Sequence, residues 1–318
     1  MEKVFLTEHI HPDAVAYLRE NFEVVQGTST ESGEIIRQAQ GCSAILIRSA
    51  KITAEIMDAI PTLKVVAKHG MGVDNIDVAH ATEKGILVVN APYSNMNAVA
   101  EHIVTLLLAL SKRIVRMDKL TRNGGFAQRN TYKTMELKNA TVGIVGMGKI
   151  SRLVVKKLSA FDMHIIASDP FVKQENVGDL PVRMTSAEEV YSTSDFVVVH
   201  TSLFPSTFHL VGAEQFGMMK PTAYIINAAR GPIIDEAAMI EALKDGEIAG
   251  AGLDVFEQEP PAEDNPLFDM DNVIVSPHNA ALCDGALRAM AMDSAQGITE
   301  YLTGQAVSYP VNREVLEK

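Results

Sequence analysis

Three residues late in the chain could act on one substrate: Arg230 in Asn-Ala-Ala-Arg-Gly, Glu259 in Glu-Gln-Glu-Pro-Pro and His278 in Ser-Pro-His-Asn. A guanidinium fork holds a carboxylate through two parallel hydrogen bonds. An imidazole gives or takes a proton at the oxygen on the neighbouring carbon. A carboxylate beside that ring favours its charged form and fixes its orientation. Each residue also has a plainer reading. Arg230 before Gly231-Pro232 suits a surface cation on a turn, His278 a satisfied loop histidine, and Glu259 a solvent-facing charge in an acidic, proline-broken loop.

A second group would hold a nucleotide. In Thr141-Val-Gly-Ile-Val-Gly-Met-Gly-Lys-Ile-Ser151, Gly146 permits a tight turn. Gly148 lets backbone N–H groups approach a pyrophosphate at a helix N-terminus. Asp169 lies about 20 residues on, where an acidic group suits the hydroxyls of an adenosine ribose. The third glycine of the Gly-x-Gly-x-x-Gly pattern is absent, because that position is Ser151. The same residues also fit a glycine turn that binds no nucleotide. With a nicotinamide beside Arg230, Glu259 and His278, the chemistry implied is hydride transfer to or from a 2-hydroxy acid.

For these groups to meet, each must follow a strand of one parallel sheet, since such sheets bind ligands outside the carboxyl ends of their strands. Short apolar runs at 142–145, 164–168, 196–200, 224–227, 250–255 and 273–276 predict six strands, with helical stretches at 150–159, 187–191 and 235–244 between them. Gly146 and Gly148 follow the first and Asp169 the second, while His200 ends the third. Arg230 follows the fourth, Asp254 and Glu259 the fifth, and His278 the sixth. His200 and Asp254 would serve equally well as strand-end caps. Residues 1–97 alternate in the same way, with strand signals at 4–7, 22–26, 44–48, 65–68 and 87–90, which predicts a smaller doubly wound domain. An apolar stripe through Val99, Ile103, Leu106, Leu107 and Leu110 predicts one helix over 98–116. A final helix over about 285–302 would return the chain to the first domain. The expected organisation is therefore α/β, with a Rossmann domain at 98–286 inserted into a flavodoxin-like domain made of 1–97 and 287–318.

Composition narrows the function class. The net charge of −12 argues against a nucleic-acid or anionic-membrane surface, and no apolar run is long enough to span a bilayer. Cys42 and Cys283 lack metal-ligand spacing and read as small core residues of a protein in a reducing cytoplasm, and no metal is expected. The chain enters its first strand without a secretory leader pattern.

Several runs, in order and at matching spacing, resemble the D-isomer-specific 2-hydroxyacid dehydrogenase family, in particular its phosphoglycerate dehydrogenase-like branch. They are His69-Gly-Met-Gly-Val-Asp-Asn-Ile-Asp77, Ala98-Val-Ala-Glu-His102, Val145-Gly-Met-Gly-Lys-Ile150, Ser168-Asp-Pro-Phe171, Asn227-Ala-Ala-Arg-Gly-Pro232, Leu253-Asp-Val-Phe-Glu-Gln-Glu-Pro260 and Ser276-Pro-His278. The resemblance implies that Arg230 binds the substrate carboxylate, that His278 is the acid/base and that Glu259 is its partner. Arg48 and Ser49, with Gly70, Met71 and Gly72, would face substrate. NAD would meet Lys149 and Ile150 at its pyrophosphate, Asp169 at a ribose, His200, Thr201, Ser202, Ala228 and Ala229 along its length, and Asp254 at its carboxamide. A homodimer joined through the NAD-binding domains is also implied. Ser151 departs from the family's glycine, so its helix would stand slightly further from the sheet. The chain stops soon after the returning helix, which implies no serine feedback through an added regulatory domain. Within the resemblance, substrates include 3-phosphoglycerate, glyoxylate or hydroxypyruvate, and branched 2-oxo acids. An NAD(H)-sensing, corepressor-like binding protein is the reading from another class.

Overall fold

The structure is a computed structural model and describes residues 1–317. Its chain divides into two compact units, Met1–Asn95 with Ala281–Lys318, and Met96–Ala280. The sequence reading draws these borders at 97/98 and 286/287.

In the first unit, β1 (Lys3–Leu6), β2 (Glu23–Gln26), β3 (Ala44–Ile47), β4 (Val65–Lys68) and β5 (Leu87–Val89) form a parallel sheet in the order β2-β1-β3-β4-β5. The strands read as continuous apolar runs because both faces are covered. Along β3, Ile45 and Ile47 join a core with Phe5 and Ile56, while Ala44 and Leu46 point the other way, to Ala291, Ala295 and Ile298 of the helix Asp284–Leu302. The chain end closes the β5 edge: Pro310 bridges Val89 antiparallel, and the Asn312 side chain takes up the Val88 amide. Cys42 is buried as expected, but Cys283 is exposed beside the start of the last helix, so it is no core residue.

The second unit carries seven parallel strands where six are predicted: β6 (Thr141–Val145), β7 (His164–Ser168), β8 (Arg183–Met184), β9 (Phe196–Val199), β10 (Tyr224–Asn227), β11 (Gly250–Leu253) and β12 (Val273–Val275). Their order is β12-β11-β10-β9-β6-β7-β8. The added strand, β8, is two residues long and too short to leave an apolar pattern. The helix predicted over 98–116 is two helices, Met96–Ser111 and Ile114–Arg122, with Arg113 at φ 48° between them. Its buried stripe ends at Leu110 and Ser111, and Ile114 and Val115 are exposed, so packing no longer holds the first axis. Among the described residues no helix is long and apolar enough to cross a membrane, and no cluster of His, Cys, Asp and Glu is placed to hold a metal ion.

Candidate active site

Because every strand of the second sheet runs the same way, the residues that follow their carboxyl ends share one rim. The order reverses between β6 and β9, the switch point at which doubly wound sheets open a ligand crevice. Gly146, at φ 92°, turns the chain there, and a Cβ on it would come within 2.5 Å of the His200 carbonyl oxygen. Gly148 begins the helix Lys149–Leu158, with open space where a side chain would stand. Asp169 ties the turn to the next strand end, its carboxylate accepting the Met147 N–H at 2.8 Å and the Phe171 N–H at 2.8 Å. Ser151 is fully buried, and its hydroxyl donates to the Gly146 carbonyl at 2.6 Å. Instead of only adding bulk behind the turn, the serine closes it.

His200 follows β9, ahead of Thr201 and Ser202. Burial first, and then the Arg230 charge, pushes its imidazole down to about 4, and its Nδ1 is buried without a partner. An orphaned ring nitrogen, a turn that tolerates no Cβ and an acidic strand end are together what a dinucleotide would fill, so these residues fit that group.

Further along the rim, Nδ1 of His278 lies 2.7 Å from Oε2 of Glu259. A carboxylate there requires the Nδ1–H tautomer or the imidazolium, which leaves Nε2 directed elsewhere. The second oxygen of Glu259 accepts the Phe256 N–H at 3.1 Å. Partial burial alone would raise the Glu259 carboxyl, but the His278 hydrogen bond and charge, the Phe256 amide and the Arg230 charge together hold it below the usual range. Arg230 donates from Nη1 to the Ala229 carbonyl at 2.7 Å. Gly231 lies so close to the Phe256 carbonyl that a Cβ there would overlap it, which lets the β10 and β11 loops touch.

Three side chains besides Arg230, Glu259 and His278 shape this rim, one of them Asp254 in the capping role that its strand-end position allows. Buried Asn227 donates to the Arg230 carbonyl and accepts the Ala229 N–H, both at 2.9 Å. Asp254, expected at a carboxamide, is 1% exposed and accepts from Ser276 Oγ at 2.6 Å and from the Asn279 and Ala280 amides at 2.9 Å. It thereby shapes the turn on which His278 sits at φ 49°. His102 reaches Ser276 Oγ from the helix Met96–Ser111 at 2.9 Å. Asp254 and His102 link a side chain to a loop distant in the chain, whereas Asn227 closes its own turn within the run Asn227–Pro232.

In the first unit, Arg48 and Ser49 follow β3, and Gly70, Met71 and Gly72 follow the adjacent β4, placing all five on the carboxyl rim of their own sheet. A cavity of about 700 Å³ in the second unit lies at the opposite strand ends, lined by Thr141, His164, Arg183 and Glu189, and no rim residue reaches it.

Residues 104–280, more than half of the chain, match the D-isomer specific 2-hydroxyacid dehydrogenase NAD binding domain. The chain is 38% identical over 317 residues to a D-3-phosphoglycerate dehydrogenase of Archaeoglobus fulgidus, covering 99% of this chain but 60% of that protein. It is 39% identical to a glyoxylate reductase of Thermofilum pendens, covering 99% of this chain and 96% of the relative. Among solved structures it is similar to an NADPH-dependent glyoxylate/hydroxypyruvate reductase from Sinorhizobium meliloti, with a TM-score of 0.88 at 27% identity over 99% of both chains. With its glycine turn, its Arg, Glu and His rim and these likenesses, the chain belongs to the D-isomer specific 2-hydroxyacid dehydrogenase family.

Proposed function

We propose that this chain is an NAD-dependent oxidoreductase interconverting a small D-2-hydroxy acid and its 2-oxo acid. The observation that carries the reading is the 2.7 Å contact between His278 Nδ1 and Glu259 Oε2, on the rim that also holds Arg230 and the glycine turn. Gly146, Gly148, Lys149, Ile150, Asp169 and the loop at Thr201 and Ser202 would hold the dinucleotide, whose nicotinamide supplies or accepts the hydride when bound. Arg230 binds the substrate carboxylate through its fork. His278 gives a proton to the carbonyl oxygen during reduction, or takes it from the hydroxyl during oxidation, through Nε2. Glu259 holds the ring in that tautomer and balances its charge. Arg48, Ser49 and Gly70–Gly72 of the first unit, the substrate domain, contribute to binding. The substrate is one of 3-phosphooxy-, 3-hydroxy- or unsubstituted short 2-oxo acids, or a branched 2-oxo acid.

A panel of these acids with purified protein and NADH identifies the substrate by loss of NADH absorbance. His278→Ala is expected to abolish turnover and keep NADH binding. A variant that retains near-wild-type kcat would overturn the mechanism. Protein that binds NADH but turns over no acid in the panel would favour the NAD(H)-sensing reading. We also propose a homodimer through the NAD-binding domains, supported by the helix Ile114–Arg122, which buries no residue, and by exposed Ile114, Val115 and Phe126. Sedimentation of a monomer at assay concentration would refute it. The buried Cys42 and free Cys283 suit a reducing cytoplasm.

A further inference from the structure

The turn after β3 is gripped from several sides. Glu8, two residues beyond β1, accepts the Arg48 N–H at 2.9 Å on Oε2 and the Ser49 N–H at 2.8 Å on Oε1. The same carboxylate accepts the Ser49 hydroxyl at 2.5 Å and the Thr7 hydroxyl at 2.7 Å. The carbonyls of the turn are held as well. Asn75 donates to the Arg48 carbonyl at 3.3 Å and the Ala50 carbonyl at 2.6 Å, and the Lys68 ammonium donates to the Arg48 carbonyl. Burial alone would raise the Glu8 carboxyl, but its bonds to Ser49, Thr7 and Arg48 bring it down to about 2, so it is ionised at any working pH.

Two consecutive amides and a hydroxyl aimed at one point form a nest for an anion. Here the protein's own carboxylate fills that nest, so a substrate carboxylate gains nothing from those three donors. What the turn can still present is the Arg48 guanidinium, which Nη1 steadies by donating to the His9 carbonyl at 3.2 Å.

We propose that Glu8 is a positioning residue for substrate binding: by gripping the Arg48 and Ser49 amides it fixes the turn that presents the Arg48 guanidinium to the anionic substrate. Ser49 then contributes to binding through the grip, since its amide and its hydroxyl both donate to Glu8. The proposal rests on the reading above that this rim faces substrate.

The test is steady-state kinetics with saturating NADH and the 2-oxo acid that the panel identifies, on Arg48→Ala, Glu8→Gln, Ser49→Ala and the double variant Glu8→Gln/Arg48→Ala. Glu8→Gln keeps the size of the side chain but faces an amide donor with a donor of its own. It is expected to raise KM about tenfold, with kcat and NADH affinity within about twofold. Ser49→Ala, which keeps the carboxylate and so spares folding, should show the same split at a smaller size. The double variant should be no worse in KM than Arg48→Ala, because both changes remove one contact. If Arg48→Ala raises KM but Glu8→Gln and Ser49→Ala lower only Tm, the grip is structural and the proposal fails while the substrate-side reading stands. If Arg48→Ala leaves KM unchanged, the reading and the proposal fail together.

Discussion

Asp169 and Ser151 both act on the glycine turn, and their atoms separate two kinds of contribution. On the reading proposed above, Asp169 would carry charge at the place where a 2′-phosphate of NADP would sit, and Pro170-Phe171 supplies no arginine to offset it. Asp169→Asn keeps a carbonyl oxygen for one of the two amides and removes the charge. It is expected to narrow the ratio of kcat/KM for NADH over NADPH by about tenfold or more. An unchanged ratio would show that something else sets the preference. Ser151 carries no charge toward the cofactor, and its hydroxyl faces back to the Gly146 carbonyl. Ser151→Gly strips a buried acceptor of its donor, a loss of about 1–3 kcal/mol in stability. NADH affinity by fluorescence titration should stay within a few-fold, and a collapse of affinity with unchanged Tm would mean the hydroxyl serves the cofactor directly.

At the scale of elements, the sheet of the first unit depends on a residue more than 200 positions away from its edge strand. Asn312 is 3% exposed; its Oδ1 accepts the Val88 N–H at 2.7 Å, and its amide donates to the Ile86 carbonyl and the Thr82 hydroxyl at 2.9 Å. Asn312→Ala strips the buried Val88 amide and Ile86 carbonyl of this partner, while the Thr82 hydroxyl keeps its bond to the Val78 carbonyl, so it is expected to lower the unfolding free energy by about 2–4 kcal/mol, read from the urea midpoint. A midpoint within error of wild type would mean that water takes over those bonds. This staple marks where sequence reading stops. The strands were legible because parallel strands covered on both faces leave runs such as Ala44–Ile47 and Phe196–Val199. The rim was legible because each of those runs ends in a polar or glycine residue. Glu8 and Asn312 left no such trace, since an isolated polar residue looks the same whether it meets water or a backbone amide folded in from elsewhere. The break at Arg113 was hidden for a related reason: the local pattern runs on through Ile114 and Val115, and only the end of burial stops the helix.

For the molecule as a whole, pH sets two electrostatic effects against each other. The net charge of −12 makes surface repulsion relax as acid is added, which favours the folded state. Two histidines oppose this. Burial, followed by the charges of Arg48 and Lys68, pushes His69 down to about 4, and its Nε2 donates to the Leu287 carbonyl at 3.2 Å in the neutral form. Burial and Arg230 bring His200 to about 4 as well. Both values lie below the ordinary 6.5, so the unfolded chain binds more protons than the folded one between pH 6.5 and 4. Their contribution is complete above pH 6.5 and is lost as pH falls toward 4, on the order of 3 kcal/mol for each. Exposed charges are screened over about 10 Å at ordinary ionic strength, so the buried rings win. Below that window Glu8 acts in the same direction, its contribution lost as pH falls from 4.5 toward 2. Stability measured in buffers from pH 8 to 4 is therefore expected to be flat above 6.5 and to fall steeply below it. His69→Gln, which keeps a donor for Leu287 but cannot titrate, should remove about half of that slope while lowering the plateau. A wild-type curve that stays level or rises down to pH 4.5 would show that the two rings are not held neutral by the fold.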